Sequence, residues 1–396
     1  MKEARLDGVA KFIRGVTFKG TDVQRATDSN IDCMRTKNVQ THLDTTDVWS
    51  IDKSHVKKDD QFLRRGDVLI SSANSWNLVG KCCWVPELER ATTFGGFVTV
   101  LRPNVEIMDA SYLYRWFSSR QVQSVVRSFA NQTTNISNLD LNRTAGLQVP
   151  VPELKEQRRI AAILDKADDL RAKRRQAIAH LDALAQSMFH STSRDETWPL
   201  ITLRDASLRF VGGRNLVGSG ADIHPVNKVL KVSAVSSGEF DPEHTKPLPA
   251  TYAPPSEHAV RTGDLVVTRA SGTKDLIGVA TLIKKVSDHT YLPDKLWRAD
   301  IGDNSLLLPI YFRFLTKSPG YREYVINASS GAAGVSNISQ AKLLSFEFRR
   351  PPIELQQTFA NRIAAVERLK ETHRKHLAEL DALFASLQSR AFKGEL

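Results

Sequence analysis

No run in this chain approaches about 18 apolar residues, and the opening MKEARLDGVAKFIRG has no signal-peptide core. A membrane-spanning helix and a cleaved leader are therefore not expected, and the chain reads as soluble and cytoplasmic. Cysteine is scarce. Cys33 and the adjacent pair Cys82 and Cys83 give neither a disulfide framework nor metal-ligand spacing, so no metal site is expected and all three read as buried or half-buried thiols. Catalytic signatures are missing too: there is no GxxxxGK[ST] loop, no GxGxxG opening a helix, no HExxH and no paired CxxC. The proline-rich APPS (Ala253 to Ser256) lacks the leading acid and aromatic of a base-methylating tetrad. Glu153-Leu154-Lys155 is the one fragment suggestive of a nuclease. Its counterpart, Glu354-Leu355-Gln356, loses the lysine, and both lie at helix starts. No catalytic residue is expected.

What the chain does have is positive charge and an internal repeat. The formal charge of +11 and pI near 9.5 favour a polyanionic partner such as nucleic acid. At 396 residues the chain exceeds one ordinary domain. Its organising stretch runs from Pro152 to Phe189 and returns, without a gap, from Pro351 to Gln388. Pro152 falls on Pro351, Gln157 on Gln356, Ile160 on Phe359, Leu170 on Leu369, Leu181 to Leu184 on Leu380 to Leu383, and Ser187 on Ser386. Apolar residues recur at spacings of three and four in both copies. In the first they are Ile160, Ile163, Ala167, Leu170, Ile178, Leu181, Leu184 and Met188; in the second, Ile363, Val366, Leu369, Leu377, Leu380, Phe384 and Leu387. This near-heptad stripe predicts two long helices that wind around each other. Pro152 and Pro351 suit helix starts, and Glu153 and Glu354 favour the positive end of the helix dipole. Each rod should reach ~55 Å, which suits a spacer or docking surface. Arg171, Lys173, Arg174 and Arg175 interrupt the first stripe, and Lys370, His373, Arg374 and Lys375 the second. They read either as a solvated face or as bases that track phosphates or an acidic partner.

The repeat extends beyond the helices. KFIRG at Lys11 matches RFVGG at Arg209, MRTKNV at Met34 matches LKVSAV at Leu230, GDVLIS at Gly66 matches GDLVVT at Gly263, and NISNL at Asn135 matches GVSNI at Gly334. One unit, module plus helix, is thus duplicated in tandem. The expected divisions are a first module over 1–151, a helix over 152–192, a second module over 193–350, and a second helix with tail over 351–396. Strands are predicted over Lys11 to Gly15, Cys33 to Val39, Asp67 to Ala73, Cys82 to Val85, Phe97 to Pro103 and Leu147 to Pro152. A helical segment is predicted over Asp109 to Phe129 and a polar link over Asn131 to Leu141. Without a strict βαβ rhythm the class is mixed α/β (α+β) modules with a curved sheet, two copies related by a pseudo-two-fold and joined by an antiparallel coiled coil.

The connecting loops of the two modules differ, and loops on a shared scaffold are where a recognition difference sits. After the strongest strand of module 1 come Ser72, Asn74, Trp76, Asn77 and Lys81; after that of module 2 come Arg269, Ser271, Thr273 and Lys274. These side chains can read base edges or phosphates, and Trp76 can stack on a base or cap the core. Arg35, Lys37 and Lys231 sit on predicted strands with one outward face, where a base is either solvated or bound. Asn and Ser of NISN and VSNI read as helix caps or as DNA contacts.

PVPELKEQRRIAAILDKAD at the first helix, LDALAQSMF against LDALFASLQ, and the terminal SLQSRAFKGEL resemble the specificity subunit of type I restriction-modification systems. The resemblance implies two target recognition domains and a coiled coil that docks two modification (methyltransferase) subunits, with restriction (endonuclease/translocase) subunits joining a larger assembly. It also implies that S-adenosylmethionine binds the partner subunits and that no cofactor binds this chain. The double-stranded DNA target is then bipartite and non-palindromic, with a spacer set by the helices. The competing reading is a coiled-coil scaffold whose modules bind protein.

Overall fold

The computed structural model describes residues 2–132, 136–214, 216, 218, 222–224, 226–236, 238–302, 306–332 and 334–396. These form two units: Met1–Arg175 with Arg374–Leu396, and Gln176–His373.

In unit 1 the run VLIS at Val68–Ser71 is buried at every position, the pattern of a strand with neighbours on both sides. It lies third in a four-stranded antiparallel sheet ordered Ala10–Arg14, Val98–Pro103, Val68–Ser71, Cys82–Trp84. Gly66 precedes it at φ +93°, a turn conformation that a side chain would strain. Trp49–Ile51, Ile31–Met34 and Thr92–Phe94 make a second sheet whose last pair is parallel. A third sheet joins Ala130–Gln132, Ser137–Leu139 and Ala73–Asn74, and Glu3–Arg5 pairs with Gln148–Pro150. Helices Ala110–Phe117 and Arg120–Ser128 are capped by the side chains of Asp109 and Ser119.

Unit 2 repeats this wiring. Leu208–Gly212, Leu296–Ile301, Leu265–Thr268 and Ala280–Leu282 form its four-stranded antiparallel sheet. Thr245–Pro247, Lys228–Leu230 and Thr290–Tyr291 form the second, again with one parallel pair. Ala270–Ser271, Val335–Asn337 and Ser330–Ala332 form the third, and Leu200–Thr202 pairs with Glu347–Arg349. The mixed α/β class is that expected.

Local expectations fail where polar side chains dictate the backbone. The strand expected to run on to Val39 stops at Met34, and Thr36–Asn38 is a short 3-10 turn. Asn38 is the cause. Its fully buried amide accepts from the Arg35 N–H (2.7 Å) and donates to the Asp44 and Asp47 carbonyls (2.7 and 2.9 Å), bonds that a continued strand could not offer. Arg35 and Lys37 are therefore not on a strand; Lys231 too falls between the strand Lys228–Leu230 and the turn Val232–Ala234. Nor do Ser137 and Asn138 cap a helix. They lie on a strand paired with Ala73–Asn74, and the cap belongs to Asp140, while Asn135 lies outside the described residues. The link predicted over Asn131 to Leu141 is thus partly strand, and the single helix predicted over Asp109 to Phe129 is two.

The long helices span Leu154–Ser193 and Ile353–Lys393 and pair antiparallel within each unit. In unit 1, Ile160, Ala161 and Leu164 of the first helix share a core with Ala391 of the second, flanked by Phe384 and Leu387. In unit 2, Ala185 and Phe189 pack with Phe359, Ile363 and Val366, flanked by Leu181 and Met188. Ala167 is buried, and Ile163, Leu377 and Leu380 are half-buried. Leu170, Leu184 and Leu369, expected in the seam, are instead 40%, 44% and 53% exposed. The buried line runs 160, 164, 167; a step of three from there reaches Leu170 and a step of four Arg171, and the four-residue step is the one taken, leaving Leu170 about 100° around the helix from Arg171. In the second helix 359, 363, 366 leads likewise to Lys370 and past Leu369.

Those two bases are neither a free solvated row nor available to phosphate. Arg171 bonds Asp168 (2.7 Å) and Asp381 of the other long helix (2.5 Å). Lys370, only 5% exposed, bonds Glu367 (3.1 Å) and Asp182 of the other long helix (2.6 Å). Arg175 also reaches Asp381, and Lys173 pairs with Asp169. Each unit thus closes its helix pair with the same ionic clasp, the helices exchanging roles.

A second repeated device anchors each long helix to its module. Gln157, fully buried, accepts from the Asp109 N–H (2.8 Å) and donates to the carbonyls of Ile107 (3.0 Å) and Pro152 (2.8 Å). Gln356, also fully buried, accepts from the Leu308 N–H (2.9 Å) and donates to Leu306 (3.1 Å) and Pro351 (3.0 Å). One amide satisfies three backbone groups that helix and module would otherwise bury unpaired.

Candidate nucleic-acid interface

The expected DNA-facing residues of unit 1 are only partly free. Arg35 donates to the Asp47 carboxylate (2.9 Å) and lies over the Trp49 ring (4.3 Å), and Lys37 bonds the same carboxylate. Lys37, with Arg35, holds the Asp47 carboxyl below the usual carboxylate range. Lys81 donates to Gln40 Oε1 (2.6 Å). Asn74 is turned back onto its own loop, donating to Ser71 Oγ (3.0 Å) and accepting from the Ser75 N–H (2.8 Å). Ser72 is half-buried and lines a groove, while Trp76 and Asn77 are exposed. In unit 2, Arg269 donates to the Asp294 carbonyl (3.3 Å) and lies 5.6 Å from the Trp297 ring. Ser271 is buried and accepts from the Thr273 N–H, whereas Thr273 and Lys274 are exposed and Lys231 is half-buried.

What the structure gathers around Ser72 is a turn that the strand pattern did not reveal. The Val98 N–H bonds the Gly95 carbonyl (2.9 Å), closing Gly95 to Val98 and placing Phe97 at the tip, 64% exposed. The turn is pinned on each side. The Phe97 carbonyl accepts from Ser72 and Ala73 (3.0 and 3.2 Å), the Gly95 N–H donates to Met34 (2.9 Å), and the Val16 N–H donates to Phe94 (2.8 Å). Gly15 permits the crossing, since a Cβ there would stand 2.2 Å from the Gly95 oxygen. Phe97 lines two grooves. One, about 390 Å³, is polar and lined by Arg14, Ser72, Thr99, Asn138, Asp140 and Asn142 among others. The other, about 610 Å³, has Phe18, Trp49, Arg35, Thr36 and Lys37 in its wall. Sequence reasoning read Phe97 only as the start of a strand; the available signal was the Gly95-Gly96 pair before it, a turn signature.

The equivalent turn of unit 2 presents Lys295, whose carbonyl accepts from Arg269 and Ala270 (2.9 and 3.4 Å) as that of Phe97 accepts from Ser72 and Ala73. The same backbone position thus carries a phenyl ring in one unit and an ammonium in the other.

The three cysteines are held as neutral thiols. Burial pushes the Cys33 thiol up to about 12 and raises those of Cys82 and Cys83, so all three stay protonated at neutral pH. Among the described residues no three His, Cys, Asp or Glu side chains are grouped to hold a metal, and no helix is long and apolar enough to cross a membrane.

Comparison with known proteins agrees with this picture of paired modules. The family described as type I restriction modification DNA specificity domain matches residues 1–180. The chain is 26% identical to the type I restriction enzyme EcoKI specificity subunit of Escherichia coli (strain K12), over 99% of this chain and 88% of that one. It is 23% identical, with the same coverage, to the StySPI specificity subunit of Salmonella potsdam. The crystal structure of a type I restriction-modification S subunit from M. genitalium shares the fold, with a TM-score of 0.56 over 99% of this chain and 96% of that one at 12% identity. Residues 1–180 thus match the type I restriction modification DNA specificity domain family, and the chain from end to end is similar to type I restriction enzyme specificity subunits.

Proposed function

We propose that this chain is the DNA-recognition subunit of a type I restriction-modification complex. Each module contacts one part of a bipartite, asymmetric duplex target. The paired long helices dock two methyltransferase subunits, and restriction subunits join that assembly. Leu170, Leu184 and Leu369, exposed on the long helices, are available to such partners. In this reading the chain itself is non-catalytic and works in the cytoplasm, and S-adenosylmethionine is held by the partner subunits. Its own residues supply position: the clasps and glutamine anchors hold the modules on the helices, and the turns present side chains to DNA.

The observation that carries the reading is one scaffold built twice with unlike side chains at its equivalent tips, which is what reading two dissimilar half-sites requires. Methylation-sensitive sequencing of DNA from cells carrying this chain and its modification subunits tests it. A two-part, non-palindromic adenine-methylated motif is expected. Methylation by the purified chain alone, or binding to protein partners with no salt-dependent duplex binding, would refute it.

A further inference from the structure

We infer that unit 1 reads an A·T base pair through Phe97 and Asn138, the phenyl ring meeting the thymine methyl and the amide meeting the adenine edge. The inference rests on the DNA-recognition reading above and names the base pair and residues through which one module achieves it.

A phenyl ring 64% exposed at the tip of a turn contributes little to the core. The turn nevertheless spends four backbone hydrogen bonds from three neighbouring segments on holding it in place. Such a ring is preorganised, so contact with a ligand costs little further ordering. Beside it, along the same groove, stand Asn138 and Asn142, both exposed and with side-chain amides bonded to none of the described residues. Asn138 is held by the strand Ser137–Leu139, opposite Ala73, whose N–H bonds the Phe97 carbonyl, so amide and ring share one rigid frame. Arg14 lines this groove and supplies positive charge, while the Asp140 carboxylate is engaged in accepting from the Arg143 N–H (3.0 Å).

The chemistry fits one base pair better than the others. In the major groove an asparagine amide can donate to adenine N7 and accept from N6, and thymine alone offers a methyl group to an apolar side chain. A G·C or C·G pair would set the phenyl against a polar edge and leave the amide mismatched. Unit 2 repeats the amide, Asn337 standing opposite Ala270 as Asn138 stands opposite Ala73, but has Lys295 at the equivalent turn, so the contact with the thymine methyl belongs to unit 1 alone.

The test uses the full chain with its modification subunits. Motifs are determined by methylation-sensitive sequencing for the wild type, Phe97→Ala, Phe97→Leu and Asn138→Ala. Phe97→Ala and Asn138→Ala should relax one and the same A·T position in one half-site, leave the other half-site unchanged, and keep methylation present; Phe97→Leu should retain the wild-type motif. In duplexes carrying that motif, replacing the one thymine by deoxyuridine should weaken wild-type binding about fourfold, the worth of one methyl-sized apolar group, and leave Phe97→Ala binding unchanged. An unchanged motif in Phe97→Ala, or relaxation spread evenly over both half-sites, overturns this inference while the DNA-recognition reading stands. A wild-type complex that neither binds nor methylates duplex DNA removes both.

Discussion

Phe97 and Lys295 occupy the same turn of the same sheet in two copies of one unit, yet one is aromatic and the other cationic, while Gln157 and Gln356 remain the same residue with the same three bonds. The contrast follows physical constraint. A buried amide that closes three backbone groups has no substitute of its size, since any apolar replacement leaves those groups unpaired. At the turn Phe97 is exposed and Lys295 half-buried, and neither has to close buried backbone groups with its side chain, so the position is free to differ. Between these extremes lies the clasp, where Arg171 and Lys370, Asp168 and Glu367 exchange side chains of like charge while keeping the bonding pattern.

Replacing the glutamines should break both units alike and most severely. Gln157→Leu and Gln356→Leu each strand a buried N–H and two buried carbonyls, an expected loss of ~3 kcal/mol or more in urea unfolding followed by circular dichroism. A large loss in one unit with none in the other would mean the two anchors are not equivalent. The clasps come next. Lys370→Met should cost about 2 kcal/mol and Arg171→Met about 1, because the Lys370 side chain is only 6% exposed and that of Arg171 is 19%, and solvent weakens the latter pair more.

The tyrosines at the start of the helical segment sharpen the comparison further. Tyr112 and Tyr311 are both fully buried, but the Tyr112 hydroxyl donates to the Pro150 carbonyl (3.0 Å), whereas that of Tyr311 meets no partner among the described residues. Tyr112→Phe should therefore destabilise by about 1 kcal/mol and Tyr311→Phe should be neutral or stabilising, as read by thermal unfolding of the two variants.

The smallest effect is on pH dependence. Burial pushes the Asp168 carboxyl up, but the bond and charge of Arg115, with Arg171 and Arg175, outweigh it and hold it below its ordinary value; burial likewise raises Glu367, and Lys370 with Arg313 and Lys284 brings it below. A carboxyl lowered by folding stabilises the fold above its unfolded value, about 4, and loses that contribution as the pH falls through the lower folded value. Stability should thus decline in acid in both units, and Asp168→Asn with Glu367→Gln should flatten the decline measured by melting temperature from pH 7 to 3.

The repeat, the long helices and the mixed class were legible because they rest on periodicity and self-similarity, which survive in one dimension. The seam was legible only in part. Ile160, Ala167, Ile363 and Val366 follow from three- and four-residue spacing, but so do Leu170 and Leu369, three residues past Ala167 and Val366, and the folded seam takes the four-residue step to Arg171 and Lys370 instead. No hydropathy pattern places a charged residue in a seam; only the opposing Asp381 and Asp182, distant in sequence, make that position tolerable. Arg35 and Lys37 are a parallel case, since both pair with Asp47, a contact that no local pattern reveals.

By itself the sequence determined that one unit occurs twice, that long amphipathic helices follow each module, and that the loops of the two copies differ, because composition and spacing carry that information locally. Tertiary structure alone decided which charges are spent on one another and which side chains stand at the turns, since ion pairs and turn tips are made by segments that the chain brings together only on folding.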